Sequence, residues 1–399
     1  MLKAQIDKIN SFITEEYDKN CQIMSGVLSD ALYFFYYGIV YQDQSAKDRA
    51  YRNFAYHTDT VNEHMMNYKF AHGLTGMAWF SQFLVNNNLL PADYTEDFND
   101  IDEAIIHTMS WDAEDQVYDH TIGTIGKCIY LMERGTNQHY KTLSEAVLTL
   151  RRTAHFSDDG KACCWLDLYT SHFNEAPRKR VNYYNHGLAH GLSSIVFFLC
   201  KCYKQDIEKE TCEQLIVASL NWLRQHKNEQ QFPYIYPNIV YRDGEVNTSF
   251  TQGWCMGLIS NAAPFYFAGK TLGNEEWINN FREAIQISQH ITLTKNNFPS
   301  LEITGGHAME LHMCHGMSSF IYQYDKIYNE TGWQECKDMG DYWANHLTSY
   351  LTDDVLINFP KHGILRGLPG LALPLLNREN GSKVNFAWDK ILLFDIENL

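Results

Sequence analysis

The sequence predicts an all-α fold, a double-layered α/α toroid of about seven inner and seven outer helices. Three observations predict it. A glycine-led apolar motif recurs seven times along the chain, amphipathic stretches at helical spacing lie between its copies, and strand-like alternation is sparse.

The motif reads residue-Gly-apolar-small-small. Its copies are SGVLSDALYFF from Ser25, HGLTGMAWF from His72, IGTIGKCIYLM from Ile122, HGLSSIVFFL from His190, MGLISNAAPF from Met256, HGMSSFIYQY from His315 and RGLPGLALPLL from Arg366. Successive glycines stand between 47 residues (Gly26 to Gly73) and 68 residues (Gly123 to Gly191) apart, enough for one helical hairpin with its loops. Each glycine-led segment is apolar around most of its surface, as an inner helix must be. Small residues at its head let neighbouring helices crowd around a closed axis. The intervening stretches, such as Glu145 to Thr153 and Cys212 to Gln225, carry an apolar stripe and read as the outer layer. Phe232 to Tyr241, interrupted by Pro233 and Pro237, reads as a loop or an edge piece. In this arrangement the glycine-bearing helix N-termini gather at one end of the toroid.

Composition fits one large domain over residues 1–399. The chain is 45% hydrophobic and 20% charged, with no Ser/Gly linker, long charge block or low-complexity tract. Its net charge of −16 repels phosphate backbones and anionic lipid, so nucleic acid is not expected as a partner. The longest apolar run, Ala31 to Tyr41, is too short to span a bilayer, so no membrane insertion is expected. Residues 1–20 carry no apolar signal region, and the protein is expected in the cytoplasm. Its ten cysteines are then thiols serving core packing, metal binding or catalysis, rather than a disulfide framework.

Reactive side chains concentrate at the heads of the repeats. Cys255 opens the fifth within GWCMG, and Cys314 with His315 opens the sixth within MCHG. The two cysteines are 59 residues apart, too far for a compact finger, and only their common register against the repeat brings them together. Two thiolates and an imidazole suit zinc rather than magnesium, calcium or manganese. Three protein ligands leave a position open, which suits activation of water or binding of a substrate thiol. The charge donated by two thiolates tilts this towards the thiol. His307 and His312 lie close in sequence, and His312 as a fourth ligand would close the site into a structural one.

The fourth copy, NHGLAHGLSS, holds His186 and His190, and His190 stands at the same offset before its glycine as His315. That register makes it a candidate general acid or base. Asp119, in YDHTIGTIG, reads either as a helix N-cap or as a carboxylate that orients and charges His190. His72, before Gly73, repeats the register and adds a polar group at the mouth.

These motifs, in this order, resemble the lanthionine synthetase C family, the LanC cyclases of lantibiotic biosynthesis and their LanC-like relatives. The resemblance rests on GLAHG (Gly187 to Gly191), WCMG (Trp254 to Gly257) and CHG (Cys314 to Gly316), with YDHTIGTIG upstream. It implies an α/α toroid holding one zinc ion through Cys255, Cys314 and His315. It further implies His190 and Asp119 as active-site residues and Trp254 beside the first zinc cysteine, at the substrate. The implied reaction adds a peptide Cys thiol across dehydroalanine or dehydrobutyrine, giving a (methyl)lanthionine ring. The implied partners are a dehydrated precursor peptide, with a dehydratase and a transporter. Thr251 and Met256 depart from the Arg and Tyr frequent there in lantibiotic cyclases, which bears on the substrate more than on the metal. Three other readings stay open. One is addition of a thiol such as glutathione to another electrophile. The second is a zinc-stabilised peptide-binding scaffold without catalysis. The third is an enzyme of another class on a similar toroid, a glycoside hydrolase or a terpene cyclase; such hydrolases need two axial carboxylates, where the repeat heads supply Cys and His with Asp119 as the only clear acid.

Overall fold

Glycine-led segments rich in Leu, Phe, Ala and Tyr become helices through their apolar helical period, which Pro264 and Pro374 inside two of them do not end, and each begins beside its glycine. The computed structural model describes residues 2–14, 22–59, 67–168, 183–230, 232–233, 235–247, 252–293, 308–381 and 383–395. Along the chain, α1 (Leu2–Asn10) precedes α2 (Leu28–Val40) and α3 (Gln44–Asp59). Then come α4 (Leu74–Asn86), α5 (Asn99–Asp115) and α6 (Thr124–Thr153). They are followed by α7 (Leu192–Lys204), α8 (Lys209–Gln225), α9 (Leu258–Leu272) and α10 (Glu275–Ser288). The last are α11 (Met317–Thr331), α12 (Gln334–Tyr350), α13 (Asp353–Asn358) and α14 (Leu368–Asn380). Among the described residues no helix is long and apolar enough to cross a membrane.

The chain divides into two compact units. One comprises Met1–Asn67, Ala71–Met77 and Ile291–Ile396; the other comprises Tyr68–Phe70, Ala78–His290 and Glu397–Leu399. In the first, α11, α14 and α2 pack side by side, and α12, α1 and α3 cover them. In the second, α6, α7 and α9 pack side by side, with α5, α8 and α10 against them. Burial separates the two layers as the sequence predicts. In α7 every residue from Leu192 to Cys200 is buried, whereas α10 buries only the stripe Trp277, Phe281, Ala284, Ile285 and Ser288. The 30-residue α6 is two helices joined at Gly135, whose φ of +144° interrupts the helical path. Its first part is buried all round from Thr124 to Leu131, and its second part buries a stripe that includes Ala146, Val147 and Leu150.

Within each unit the heads of consecutive glycine-led helices are laced by the residue two before the glycine. Cys314 N–H donates to Leu365 O (2.9 Å), Leu365 N–H to Met24 O (3.1 Å) and Met24 N–H to Ala71 O (3.4 Å). In the other unit Ala189 N–H donates to Cys255 O (3.2 Å). The bond from Leu365 to Met24 joins the last repeat to the first. A shared hydrogen-bonding register therefore sets the shared chemical register of the repeat heads.

Short strands are inserted beside the fourth repeat. β1 (His155–Phe156) pairs with β2 (Cys163–Cys164). β3 (Leu166–Asp167), β4 (Tyr183–Asn185), β5 (Ile239–Tyr241) and β6 (Val246–Asn247) form an antiparallel sheet in that order. The end of the Phe232–Tyr241 segment is therefore an inner strand rather than a loop or edge. Its prolines lie before β5, so the ladder loses no donor to them.

Candidate functional site

The head of α9 is built to hold Cys255 in a tight turn. Gly253 N–H donates to Met256 O (2.8 Å), closing it, and the Gln252 side chain accepts from Leu258 N–H (2.9 Å). The Ser260 hydroxyl lies 2.8 Å from Gly253 O and 2.9 Å from Trp254 O, within hydrogen-bonding reach of both. Gly257 has φ +136°, a conformation only glycine adopts readily. Gly187, in the loop before His190, lies so close that a Cβ there would stand 2.4 Å from the carbonyl oxygen of Cys255. Met256 thus serves this turn through its backbone, whereas Thr251 lies outside the described residues. Trp254, expected at the substrate surface, is fully buried.

At the head of α11, Cys314 is buried and His315 half-buried, with Cys314 Sγ 3.3 Å from His315 Nε2. A zinc ion about 2.3 Å from a thiolate and about 2.0 Å from an imidazole nitrogen, at a tetrahedral angle, sets those two donors roughly 3.5 Å apart. Cys255 at the head of α9 and Cys314 with His315 at the head of α11 offer two thiolates and one imidazole. The donor set and the Cys314–His315 spacing fit zinc. His312, weighed as a fourth ligand, is buried edge-on against Phe359, with ring centroids 5.4 Å apart, and is not one of this group. His307 lies outside the described residues.

The two histidines of NHGLAHG have different environments. His186 is fully buried; its Nε2 accepts from the Trp222 indole N–H (3.0 Å), so its Nδ1–H donates to Pro237 O (2.8 Å). Burial, reinforced by His226, pushes its pKa down to about 3, so it is a neutral structural strut. His190 keeps 26% of its side chain exposed and stands 3.4 Å, through Nδ1, from Asp119 Oδ1. Asp119 is not the helix N-cap, a position held by Gly123 with no side-chain cap; it braces the turn that precedes the helix. Its Oδ1 accepts from the backbone N–H groups of Thr121 (2.7 Å) and Ile122 (2.9 Å), fixing the turn into α6, while it faces His190. Burial acts to raise its pKa, but the charge and hydrogen bonding of His190, with these donors, outweigh burial and hold it below the ordinary value.

Thr121 was not legible as a site residue. Its hydroxyl lies 2.9 Å from Asp119 Oδ1 and 3.1 Å from His190 Nδ1. It occupies the position two before its glycine, where Cys255 and Cys314 also stand, and that register was the available signal. Asp167, on β3, was missed as well. It shares with Asp119, His190, Trp165 and Tyr118 a cavity of about 20 Å³, and its Oδ2 accepts from Asn185 Nδ2 (3.0 Å). Asn185 Oδ1 in turn accepts from Gly187 N–H (2.8 Å), so Asp167 steadies the loop that carries His190. His72 is half-buried, its Nδ1 3.0 Å from Gln22 Oε1.

The family model for lanthionine synthetase C-like proteins matches residues 17–393. Among solved structures the chain is similar to nisin cyclase, with a TM-score of 0.74 at 14% identity, covering 100% of this chain and 98% of that one. A comparison with curated protein sequences finds no match. The structural likeness identifies the fold as the α/α toroid expected from the repeats.

Proposed function

The chain belongs to the lanthionine synthetase C-like family, and from that premise we propose that it is a zinc-dependent peptide cyclase. It would add a Cys thiol of a dehydrated precursor peptide to dehydroalanine or dehydrobutyrine, closing a (methyl)lanthionine ring. The observation that carries this reading is the donor set at the repeat heads, Cys255 before α9 and Cys314 with His315 before α11, where Cys314 Sγ stands 3.3 Å from His315 Nε2. Three soft protein ligands suit a catalytic rather than a closed structural zinc site. Residues 1–399 are read as one LanC-like domain, which a single family match over 17–393 supports. A dehydratase and a transporter would be further partners, in a cytoplasm that keeps the thiols reduced.

Cys255, Cys314 and His315 would hold the ion. When bound, zinc supplies the Lewis acidity that lowers the pKa of a substrate thiol towards neutrality. The remaining work falls to the chain. The thiol proton passes to His190 at Nε2, the ring nitrogen turned away from Asp119. As sulfur bonds to the β-carbon, the alkene pair moves onto the neighbouring carbonyl as an enolate. The His190 imidazolium then returns the proton to the α-carbon, so atoms and charge balance. Asp119, held ionised, stabilises that imidazolium. Trp254, being fully buried, would form the wall behind Cys255, and His72 would add a polar contact for the peptide. The test mixes the protein with a dehydrated precursor peptide and counts free thiols. Loss faster than in buffer supports the cyclase, and loss at the buffer rate removes it.

A further inference from the structure

The hydroxyl of Thr121 lies between Asp119 and His190, and its single proton decides how the three groups are connected. Asp119 is ionised and can only accept, so the hydroxyl 2.9 Å from its Oδ1 donates to it. The same oxygen, 3.1 Å from His190 Nδ1, must then accept, which requires a proton on Nδ1. Asp119 Oδ1 already takes two backbone N–H donors at 2.7 and 2.9 Å, and its 3.4 Å separation from Nδ1 is long for a charge-assisted bond. The opposite tautomer would set the Nδ1 lone pair against a hydroxyl oxygen with no proton left to give. Thr121 is itself fixed, because its own N–H is committed to Asp119.

Resting on the cyclase reading, we propose that Thr121 is a positioning residue: its hydroxyl relays Asp119 to His190, holds the ring as the Nδ1–H tautomer and leaves Nε2 as the proton-transfer atom. The group touches neither the metal ligands nor the bond being formed, and acts through His190 alone.

The test uses Thr121→Val, which keeps the shape and removes the hydroxyl, and Thr121→Ser, which keeps the hydroxyl. In zinc-loaded protein carrying ¹⁵N-histidine, nitrogen–proton correlations report the tautomer of His190, with His190→Asn identifying its signals. The expected result is an Nδ1-protonated ring in wild type and Thr121→Ser, and loss of that preference in Thr121→Val. With a dehydrated peptide, Thr121→Val should lose at least tenfold in kcat with KM little changed, and Thr121→Ser should stay within about threefold. An Nε2-protonated ring in the wild type overturns the proposal even if Thr121→Val fails to fold. Wild-type tautomer and kcat in a folded Thr121→Val also overturn it. A wild type that does not cyclise at all removes the cyclase reading instead, and the tautomer measurement still decides the role of Thr121.

Discussion

The backbone N–H of Ala189 donates to the carbonyl oxygen of Cys255 at 3.2 Å, so the loop carrying His190 is pinned to the turn carrying Cys255. Gly187 sits against the same carbonyl, leaving no room for a side chain. The proposed proton-transfer group and one proposed metal ligand are thus linked by a direct backbone contact, in addition to the supports of each loop.

Gly187→Ala tests that contact. A methyl group 2.4 Å from Cys255 O must push the two loops apart. The variant should lose about 1–3 kcal/mol in a urea melt and bind zinc less tightly in a chelator competition. Wild-type stability and zinc retention would mean that the loops are not held by this approach.

His190 and His186 should separate cleanly in function. His190→Asn removes the proton-transfer group without touching the metal ligands, so kcat should fall by about 10²–10⁴ with zinc content unchanged. His186→Gln should mainly lower stability, because His186 is a buried strut between Trp222 and Pro237. Turnover of both variants on a dehydrated peptide, with metal analysis of each, checks the assignment; the reverse pattern would exchange the two roles.

The depressed pKa of His186 also predicts how stability varies with pH. The folded chain keeps this ring neutral down to about 3, whereas the unfolded chain binds the proton from about 6.5 downward. Unfolding therefore takes up a proton between those values. The full stability is present above 6.5 and falls as pH drops towards 3, by about 1.4 kcal/mol per unit from this group. Urea midpoints at pH 7, 6 and 5 should drop more steeply for wild type than for His186→Gln. Parallel lines would show that another group carries the acid sensitivity.

The layered fold was legible because its signals are local: a glycine, small residues and an apolar helical period are all contained within each motif. The groups at the repeat heads were legible through register, since Cys255 and Cys314 both stand two before their glycines and His190 and His315 one before. The inner strand β5 was not, because three residues are too few to show a period of two. Its partners, β4 and β6, are fixed by tertiary pairing. Thr121 was hidden for a different reason. A threonine between an aspartate and a helix start has an ordinary role in turns, and only its 3.1 Å approach to His190, 69 residues on, gives it another. Asp119 could not be divided between cap and partner from sequence; its Oδ1 accepts from the turn before α6 rather than capping the helix, and the same oxygen stands 3.4 Å from His190 Nδ1.

The most direct measurement of the central claim is the zinc content of purified protein and of Cys255→Ala, by elemental analysis after dialysis. A site made of Cys255, Cys314 and His315 predicts one zinc per wild-type chain and a marked loss in the variant, since two remaining ligands hold the ion poorly. Substantially less than one zinc in the wild type, or an undiminished content in Cys255→Ala, would contradict it.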